Sequence, residues 1–254
     1  MGHAPSAGWE RAANRFLASW KGRPGVEGAV IAGSRVLGTA TRRSDIDVML
    51  VFTGARKGIW GTRRVGGYVV EYVSFTPVSV RRLFKKDLSS GALVRARLFG
   101  LGRIVFDRRG VVARLQAEAR AELAKEIPPM AHREAETAKH MMWDRYEGVA
   151  DLFDRRSPGF WANYHVAVVN LVAQRYARFV RAEIPPVTRW WDFLTSDDFR
   201  RRYRMPEFPD ARFASLLVRA LRARRRVVAM RLLRRLVDHA LRAMGGFNED
   251  RWRG

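Results

Sequence analysis

The spacing of hydrophobic positions divides the chain near residue 110. In the first part, short apolar or alternating runs are separated by glycine, proline and polar turns, a pattern typical of β-strands. Five strands are predicted, over residues 30–32, 46–52, 63–65, 68–75 and 102–107. Gly66-Gly67 between the third and the fourth predicts a hairpin. Helices are predicted over residues 6–20, capped by Ser6, and over residues 80–88.

Beyond this point the alternating pattern ends and a helical period takes over. Four helical regions are predicted, over residues 111–126, 130–155, 157–184 and 210–244. Paired prolines follow the first and the third of them and stop each helix. The predicted fold is therefore α+β, with a mixed-sheet domain of residues 1–109 followed by an all-α helical bundle domain of residues 110–254.

The most informative stretch of the first part is IAGSRVLGTATRRSDIDVMLVF, residues 31–52. Side chains of a strand alternate between its two faces, so Asp45 and Asp47 point the same way while Ile46 points into the core. Two carboxylates about 7 Å apart on one face repel each other unless a cation lies between them. Mg²⁺ is the hard cation that such oxygen ligands hold, usually together with substrate phosphates.

The turn Gly33-Ser34 precedes these carboxylates by ten residues of turn and short helix. A glycine allows close approach of the backbone, and N–H and hydroxyl donors at a helix start suit an anion. Metal ligands combined with a phosphate site indicate phosphoryl or nucleotidyl chemistry.

This combination closely resembles the signature of the DNA polymerase β-like nucleotidyltransferase superfamily, in which Gly-Ser precedes an Asp-x-Asp strand at about this spacing. Gly33, Ser34, Asp45 and Asp47 match the signature. The layout of a sheet domain before a helical domain looks like the nucleotidyltransferases of the kanamycin and lincosamide type, whose helical half helps to shape the acceptor site. The resemblance at the level of motifs covers residues 27–75.

The resemblance implies a role for each matching residue. Asp45 and Asp47 would bind two Mg²⁺ ions. Glu71, on a later predicted strand, would be the third carboxylate, which completes the catalytic metal site and helps to deprotonate the acceptor. The residues implied on the phosphate side, in contact with ATP or another NTP, are Gly33, Ser34, Arg35, Arg42 or Arg43, and Ser44.

Composition narrows the functional classes. The 254 residues contain no cysteine, which excludes disulfides, zinc–thiolate sites and cysteine catalysis. No apolar run approaches the length of a membrane span and the start of the chain lacks the hydrophobic region of a signal peptide, so we expect a cytoplasmic, soluble enzyme without a membrane partner. The formal net charge of +23 attracts polyanions and makes RNA a possible partner. Arginine is spread along the whole chain, however, which a GC-biased genome would also produce.

An acidic stripe interrupts this basic chain on the predicted helix of residues 130–155. Its members recur every three or four residues and share one helix face: Glu136, His140, Asp144, Glu147 and Asp151. One interpretation is a wall that binds a cationic acceptor, with a carboxylate able to act as general base. The other is that these acids pair with arginines of neighbouring helices.

The predicted activity is the transfer of a nucleoside monophosphate, most simply AMP from ATP, to a hydroxyl of a small-molecule acceptor, with release of pyrophosphate. Two alternatives remain open at the level of sequence. One is transfer to a macromolecule, either an RNA 3′ end or a protein. The other is a non-catalytic scaffold that binds nucleotide or RNA. The acceptor, the preferred NTP and the oligomeric state are not determined by the sequence.

Overall fold

The computed structural model describes residues 8–54 and 58–252. The chain forms two compact units. The first extends to Lys125 except for Ser90–Ala92, and the second comprises Ser90–Ala92 and the chain from Glu126 onward. The predicted cap of the first helix, Ser6, lies outside the described residues.

Strands and helices alternate in the first unit. In chain order, the elements described there are α1 (Gly8–Lys21), β1 (Val26–Ala32), α2 (Ser34–Leu37), β2 (Ile46–Phe52), β3 (Trp60–Val65), β4 (Tyr68–Phe75), α3 (Pro77–Ser90), α4 (Val94–Leu101), β5 (Arg103–Asp107) and α5 (Val111–Leu123). The predicted strands 46–52 and 68–75 agree with β2 and β4 at both ends. β1 and β3 begin earlier than predicted, α4 was not predicted, and β5 begins one residue later than the predicted strand 102–107.

The five strands form one mixed sheet in the order β3-β4-β2-β1-β5. β2 and β4 are parallel, whereas the other neighbours are antiparallel. The predicted hairpin joins β3 to β4 through Gly66 and Gly67, whose φ angles of 55° and 83° require the left-handed region. β5, which pairs with β1 alone, lies at an edge of the sheet, and this explains its partial exposure.

Helices cover both faces of the sheet. On one face, Phe16, Leu17 and Trp20 of α1 pack with one set of alternate strand residues, among them Val48 and Leu50. The other set packs on the opposite face against α3, α4 and α5. Because both faces are covered, β1 is buried throughout and β2 is buried at every position except Asp47. A single polar side chain therefore interrupts an otherwise apolar central strand.

Helix α5 explains where the first unit ends. Val112, Leu115 and Ala119 are fully buried in the core on that second face, and Gln116 donates hydrogen bonds to the carbonyl oxygens of Phe99 and Gly102. The predicted boundary after residue 109 marks the end of the strand pattern, whereas the compact unit continues through α5. A helix that covers a sheet has the same hydrophobic period as a helix of a bundle, so periodicity does not separate the two.

The second unit is helical. The segments described there are α6 (His132–Asp154), α7 (Phe160–His165), a π-helical segment (Val166–Ala173), α8 (Gln174–Phe179), α9 (Trp190–Thr195), α10 (Asp197–Tyr203), α11 (Ala211–Leu221), α12 (Arg226–Ala243) and two 3₁₀ turns, Val187–Arg189 and Glu249–Arg251. The region predicted over 210–244 is divided into α11 and α12, and α9 and α10 were not predicted.

Asp210 connects three of these helices. One carboxylate oxygen caps α11 by accepting the N–H of Phe213 at 2.8 Å. The other accepts the hydroxyl of Tyr176 at 2.6 Å and lies 2.6 Å from Nε2 of His239. This network joins α8, α11 and α12 within one apolar core.

The α+β fold class is confirmed, with a mixed sheet flanked by helices in the first unit and helices alone in the described part of the second. Among the helices of residues 8–54 and 58–252, none has both the length and the apolar character needed to cross a membrane.

Candidate active site

Three carboxylates converge on one face of the sheet. Asp45 immediately precedes β2, Asp47 lies on it, and Glu71 lies on β4. The parallel register of these strands sets Asp47 directly beside Glu71. One carboxylate oxygen from each of the three residues lies within 4.8 Å of the others. The structure thus brings together the three residues to which the sequence assigns metal binding.

Burial and mutual repulsion raise the pKa values of both aspartates. The pKa of Asp47 rises to about 7, first because burial disfavours its charged form and then because Asp45 and Glu71 are negative neighbours. Burial is also the largest cause of the raised pKa of Asp45, to which the charge and the hydrogen bond of Glu71 add, while the Arg35 guanidinium acts in the opposite direction. The cluster has more negative charge than its surroundings neutralise, and only oxygen atoms to offer, which fits a hard divalent cation.

The turn after β1 is shaped by contact with Asp47. Gly33 follows Ala32, the β1 partner of Asp47 in the sheet, and has a φ of 73° and a ψ of −160°. A Cβ atom at this position would lie 1.9 Å from Oδ2 and 2.9 Å from Cγ of Asp47. Glycine is therefore required here both for the backbone conformation and for the space that the carboxylate occupies. Ser34 starts the four-residue helix α2 directly after it.

Arg35 and Ser44 organise the loop that leads to Asp45. Nη2 of Arg35 donates a 2.6 Å hydrogen bond to the carbonyl oxygen of Ser44, and its guanidinium lies 5.2 Å from the ring centre of Tyr68. The Ser44 hydroxyl accepts the N–H of Thr41 at 2.9 Å. Nε of Arg35 is buried and has no hydrogen-bond partner among the residues that the structure describes. Arg43, by contrast, has an exposed side chain, and its N–H donates to the Thr41 hydroxyl at 3.3 Å.

Trp60 is a member of the site that sequence reasoning missed. Its indole Nε1 donates a 2.9 Å hydrogen bond to Oε1 of Glu71, although 72% of the residue is exposed. The sequence pattern predicts a strand only over residues 63–65, so residue 60 falls outside it. An earlier start of the strand would have placed Trp60 opposite Val73, on the face that carries Glu71.

The acidic residues proposed for the acceptor all lie on α6 of the second unit. Two of them are in ion pairs: Glu136 with Lys139 at 2.5 Å and Asp151 with Arg155 at 2.8 Å. Asp144 and Glu147 are exposed. The ring of His140, the remaining member of the stripe, stacks on Trp252 with ring centres 3.8 Å apart.

The family model matches a part of the first unit, whereas the structural similarity extends over most of the chain. Residues 11–99 match the family model described as a nucleotidyltransferase domain. A solved structure of a nucleotidyltransferase-like protein from Exiguobacterium sibiricum 255-15 is similar over 93% of this chain and 77% of that one, with a TM-score of 0.45 and 14% sequence identity. None of the curated proteins matches the chain in sequence.

The family match includes Gly33, Ser34 and all three carboxylates of the site. It supports the DNA polymerase β-like superfamily and leaves the kanamycin and lincosamide subgroup a prediction. Residues 11–99 of this chain thus match a nucleotidyltransferase domain, and this match supports an enzyme of the transferase class.

Proposed function

We propose that the protein transfers a nucleoside monophosphate from ATP, or from another NTP, to a hydroxyl of a small-molecule acceptor and releases pyrophosphate. One observation supports this above all others. Three carboxylates from two paired parallel strands meet within 4.8 Å, and a glycine turn packs against one of them. A bound cation would offset the repulsion between carboxylates that lie this close in a partly buried place.

Asp45 and Asp47 would hold two Mg²⁺ ions, with Glu71 completing the catalytic metal site. Bound there, Mg²⁺ would neutralise phosphate charge and favour ionisation of the attacking hydroxyl. The raised pKa of Asp47 is consistent with this role, because an ion would replace the proton that its surroundings otherwise favour.

The other residues would position the two substrates. Gly33 and Ser34, between β1 and the start of α2, would hold the triphosphate, and the guanidinium of Arg35 would add positive charge close to Asp45. Arg43, and Arg42 beside it, are exposed cations at the edge of the same loop, while Ser44 holds the loop in place. The acceptor oxygen would attack the α-phosphorus, the bond to pyrophosphate would break, and Glu71 would receive the hydroxyl proton.

For the metal we expect triphosphate binding to depend on Mg²⁺. Removing it should weaken the binding of a non-hydrolysable ATP analogue by about tenfold or more, because carboxylates and phosphates repel each other without the ion. Calorimetry with and without Mg²⁺ measures this. Asp45→Asn should reduce the Mg²⁺ effect, whereas Glu118→Gln, which changes a carboxylate paired with Arg81, should retain it. Equal affinity in both conditions for the wild-type protein would contradict the site.

For the acceptor we propose that the α6 stripe binds a cationic group. Asp144 and Glu147 support this most, since both are exposed, while Glu136 and Asp151 have basic partners. An exposed negative face on a chain of charge +23 attracts small cations and disfavours RNA.

Neutralising that face tests the acceptor proposal. Asp144→Asn with Glu147→Gln should lower the rate of label transfer from ATP by about tenfold while Mg²⁺–ATP affinity stays unchanged. Asp198→Asn is the matched control, because Asp198 is an exposed acid of the second unit that lies outside the stripe. An unchanged rate of transfer in the double variant would contradict acceptor binding by the stripe, which would then be an ordinary solvated and ion-paired helix face.

Transfer to RNA is the second candidate. It is favoured by the exposed arginines of and before α12, among them Arg224, Arg231 and Arg235. Incubation with ATP labelled at its α-phosphate and with pools of small molecules, RNA or protein separates the candidates. We expect label in the small-molecule pool, and label in RNA alone would favour the alternative.

A further inference from the structure

A large aromatic side chain stands exposed beside the carboxylates. Trp60 is the first residue of β3, at the edge of the sheet opposite β5. With 72% of its surface exposed, it gains little from packing within the described chain. Its N–H nevertheless has a defined partner, Oε1 of Glu71 at 2.9 Å. An indole that is held at one atom and open to solvent elsewhere offers a free ring face on which a ligand can pack.

The sheet order determines on which side of the site Trp60 lies. β3 pairs with β4, β4 with β2, and β2 with β1, so the Gly33-Ser34 turn and Trp60 flank the carboxylates from opposite sides. Cross-strand partners share a face, and the pairs Trp60–Val73 and Thr62–Glu71 therefore set the indole on the carboxylate face.

The chemistry assigns different substrates to these two sides. In nucleotidyl transfer the attacking oxygen and the leaving pyrophosphate are roughly in line across the phosphorus. If the triphosphate occupies the side of Gly33 and Ser34, the acceptor approaches from the side of Glu71 and β3. The flat surface that an acceptor meets there is the indole of Trp60.

We propose that Trp60 has two roles in this site, one toward Glu71 and one toward the acceptor. Its N–H positions Glu71 by holding Oε1, which leaves the second oxygen of the carboxylate for the reaction. Its exposed face binds the acceptor, whose reacting hydroxyl belongs to a ring, such as a sugar, that packs flat on the indole. This inference rests on the proposed function and specifies its acceptor as a cyclic alcohol.

Two variants separate the two roles. Trp60→Phe retains a flat ring and lacks the N–H, so kcat should fall about tenfold while the KM of the labelled acceptor changes little. Trp60→Leu lacks both, so the KM of the acceptor should rise about tenfold in addition. The KM of ATP should stay unchanged in both. Trp191→Leu, which removes a partly exposed tryptophan of the second unit, is the control and should alter none of these values.

Hydrolysis of ATP to AMP and pyrophosphate without an acceptor provides an internal comparison. Water needs no ring surface, so Trp60→Phe and Trp60→Leu should lower this reaction equally. A difference between the two variants that appears only with the acceptor supports the stacking role. An equal acceptor KM in the two variants would overturn it, and a matching rise in the KM of ATP would assign the indole to the donor instead.

Terbium luminescence tests the contact with Glu71 without any turnover. Tb³⁺ bound at the carboxylates should emit when indole is excited, because Trp60 contacts one of the ligands. Trp60→Phe should lose most of this emission and bind Tb³⁺ several-fold more weakly, whereas Trp191→Leu should behave as wild type. Because this substitution removes the sensitising indole itself, the Tb³⁺ affinity is the deciding value, and an unchanged affinity in Trp60→Phe would overturn the positioning role.

The two kinds of experiment keep this inference distinct from the proposed function. If the wild-type protein transfers no label to any acceptor, the proposed function fails and the acceptor role of Trp60 fails with it. The terbium experiment still decides whether Trp60 holds Glu71.

Discussion

Replacing Asp47 by asparagine is expected to lower nucleotidyl transfer by about 10³-fold or more and, without metal, to stabilise the fold at pH 8. The two effects have one cause. Asp47 is the polar interruption of a buried strand and lies beside two further carboxylates. Its negative charge would attract a bound cation, and in the metal-free protein the same charge destabilises the fold.

The pH dependence follows from the direction of the pKa shift. Folding raises the pKa of Asp47 from 3.8 to about 7, so the folded state binds the proton more tightly than the unfolded state. The destabilisation is therefore absent below pH 4, grows between pH 4 and pH 7, and is complete at pH 8. A pKa shift of this size corresponds to a loss of at most about 4 kcal/mol in the free energy of unfolding, and the three carboxylates share this loss.

Urea unfolding in a chelating buffer measures this effect. At pH 8 Asp47→Asn should have the larger free energy of unfolding, near pH 4 the difference should vanish, and Mg²⁺ should reduce it at pH 8 by stabilising the wild-type protein. Glu118→Gln should show no such gain, because the Arg81 guanidinium lowers the pKa of Glu118. A variant that is less stable than the wild type at pH 8 without metal would contradict the repulsion inferred for this cluster.

Replacing Gly33 by alanine is expected to lower transfer by about a hundredfold or more, although residue 33 has no reactive group. The added Cβ would lie 1.9 Å from Oδ2 of Asp47, so either the turn or the carboxylate has to move. Because a φ of 73° with a ψ of −160° is adopted almost only by glycine, any residue with a side chain would also lose about 1–3 kcal/mol of stability.

Gly67→Ala separates these two effects. Gly67 has a φ of 83°, and apart from its chain neighbours no atom of the described residues lies within 4 Å of the position of its Cβ. Gly67→Ala should therefore lose stability in thermal unfolding through its positive φ alone, while label transfer stays within about twofold of wild type. Equal loss of activity in the two variants would show that backbone strain, and not the contact with Asp47, decides the result. Tb³⁺ affinity, measured on both, reports directly whether the carboxylates have moved.

Much of the catalytic half could be predicted from the sequence because its signals are local. The apolar run of β2 and the alternation of β4 identified both strands, and Gly33 before a short helix marked a turn where the backbone can approach closely. Asp45 and Asp47 could be placed on one face because strand alternation depends on the chain alone. The two-part α+β organisation followed from the change of hydrophobic period.

Tertiary structure decided everything that depends on strand register and on side chains distant in sequence. The parallel pairing of β2 with β4 sets Glu71 beside Asp47, and a shift of one residue would have turned Glu71 to the other face. Other contacts between distant parts of the chain are also invisible to local patterns. They include the hydrogen bond of Trp60 to Glu71, that of Arg35 to Ser44, and the packing of α5 on the sheet. The sequence determined which residues can do chemistry, whereas packing and register determined which of them meet, because local periodicity contains no information about strand partners.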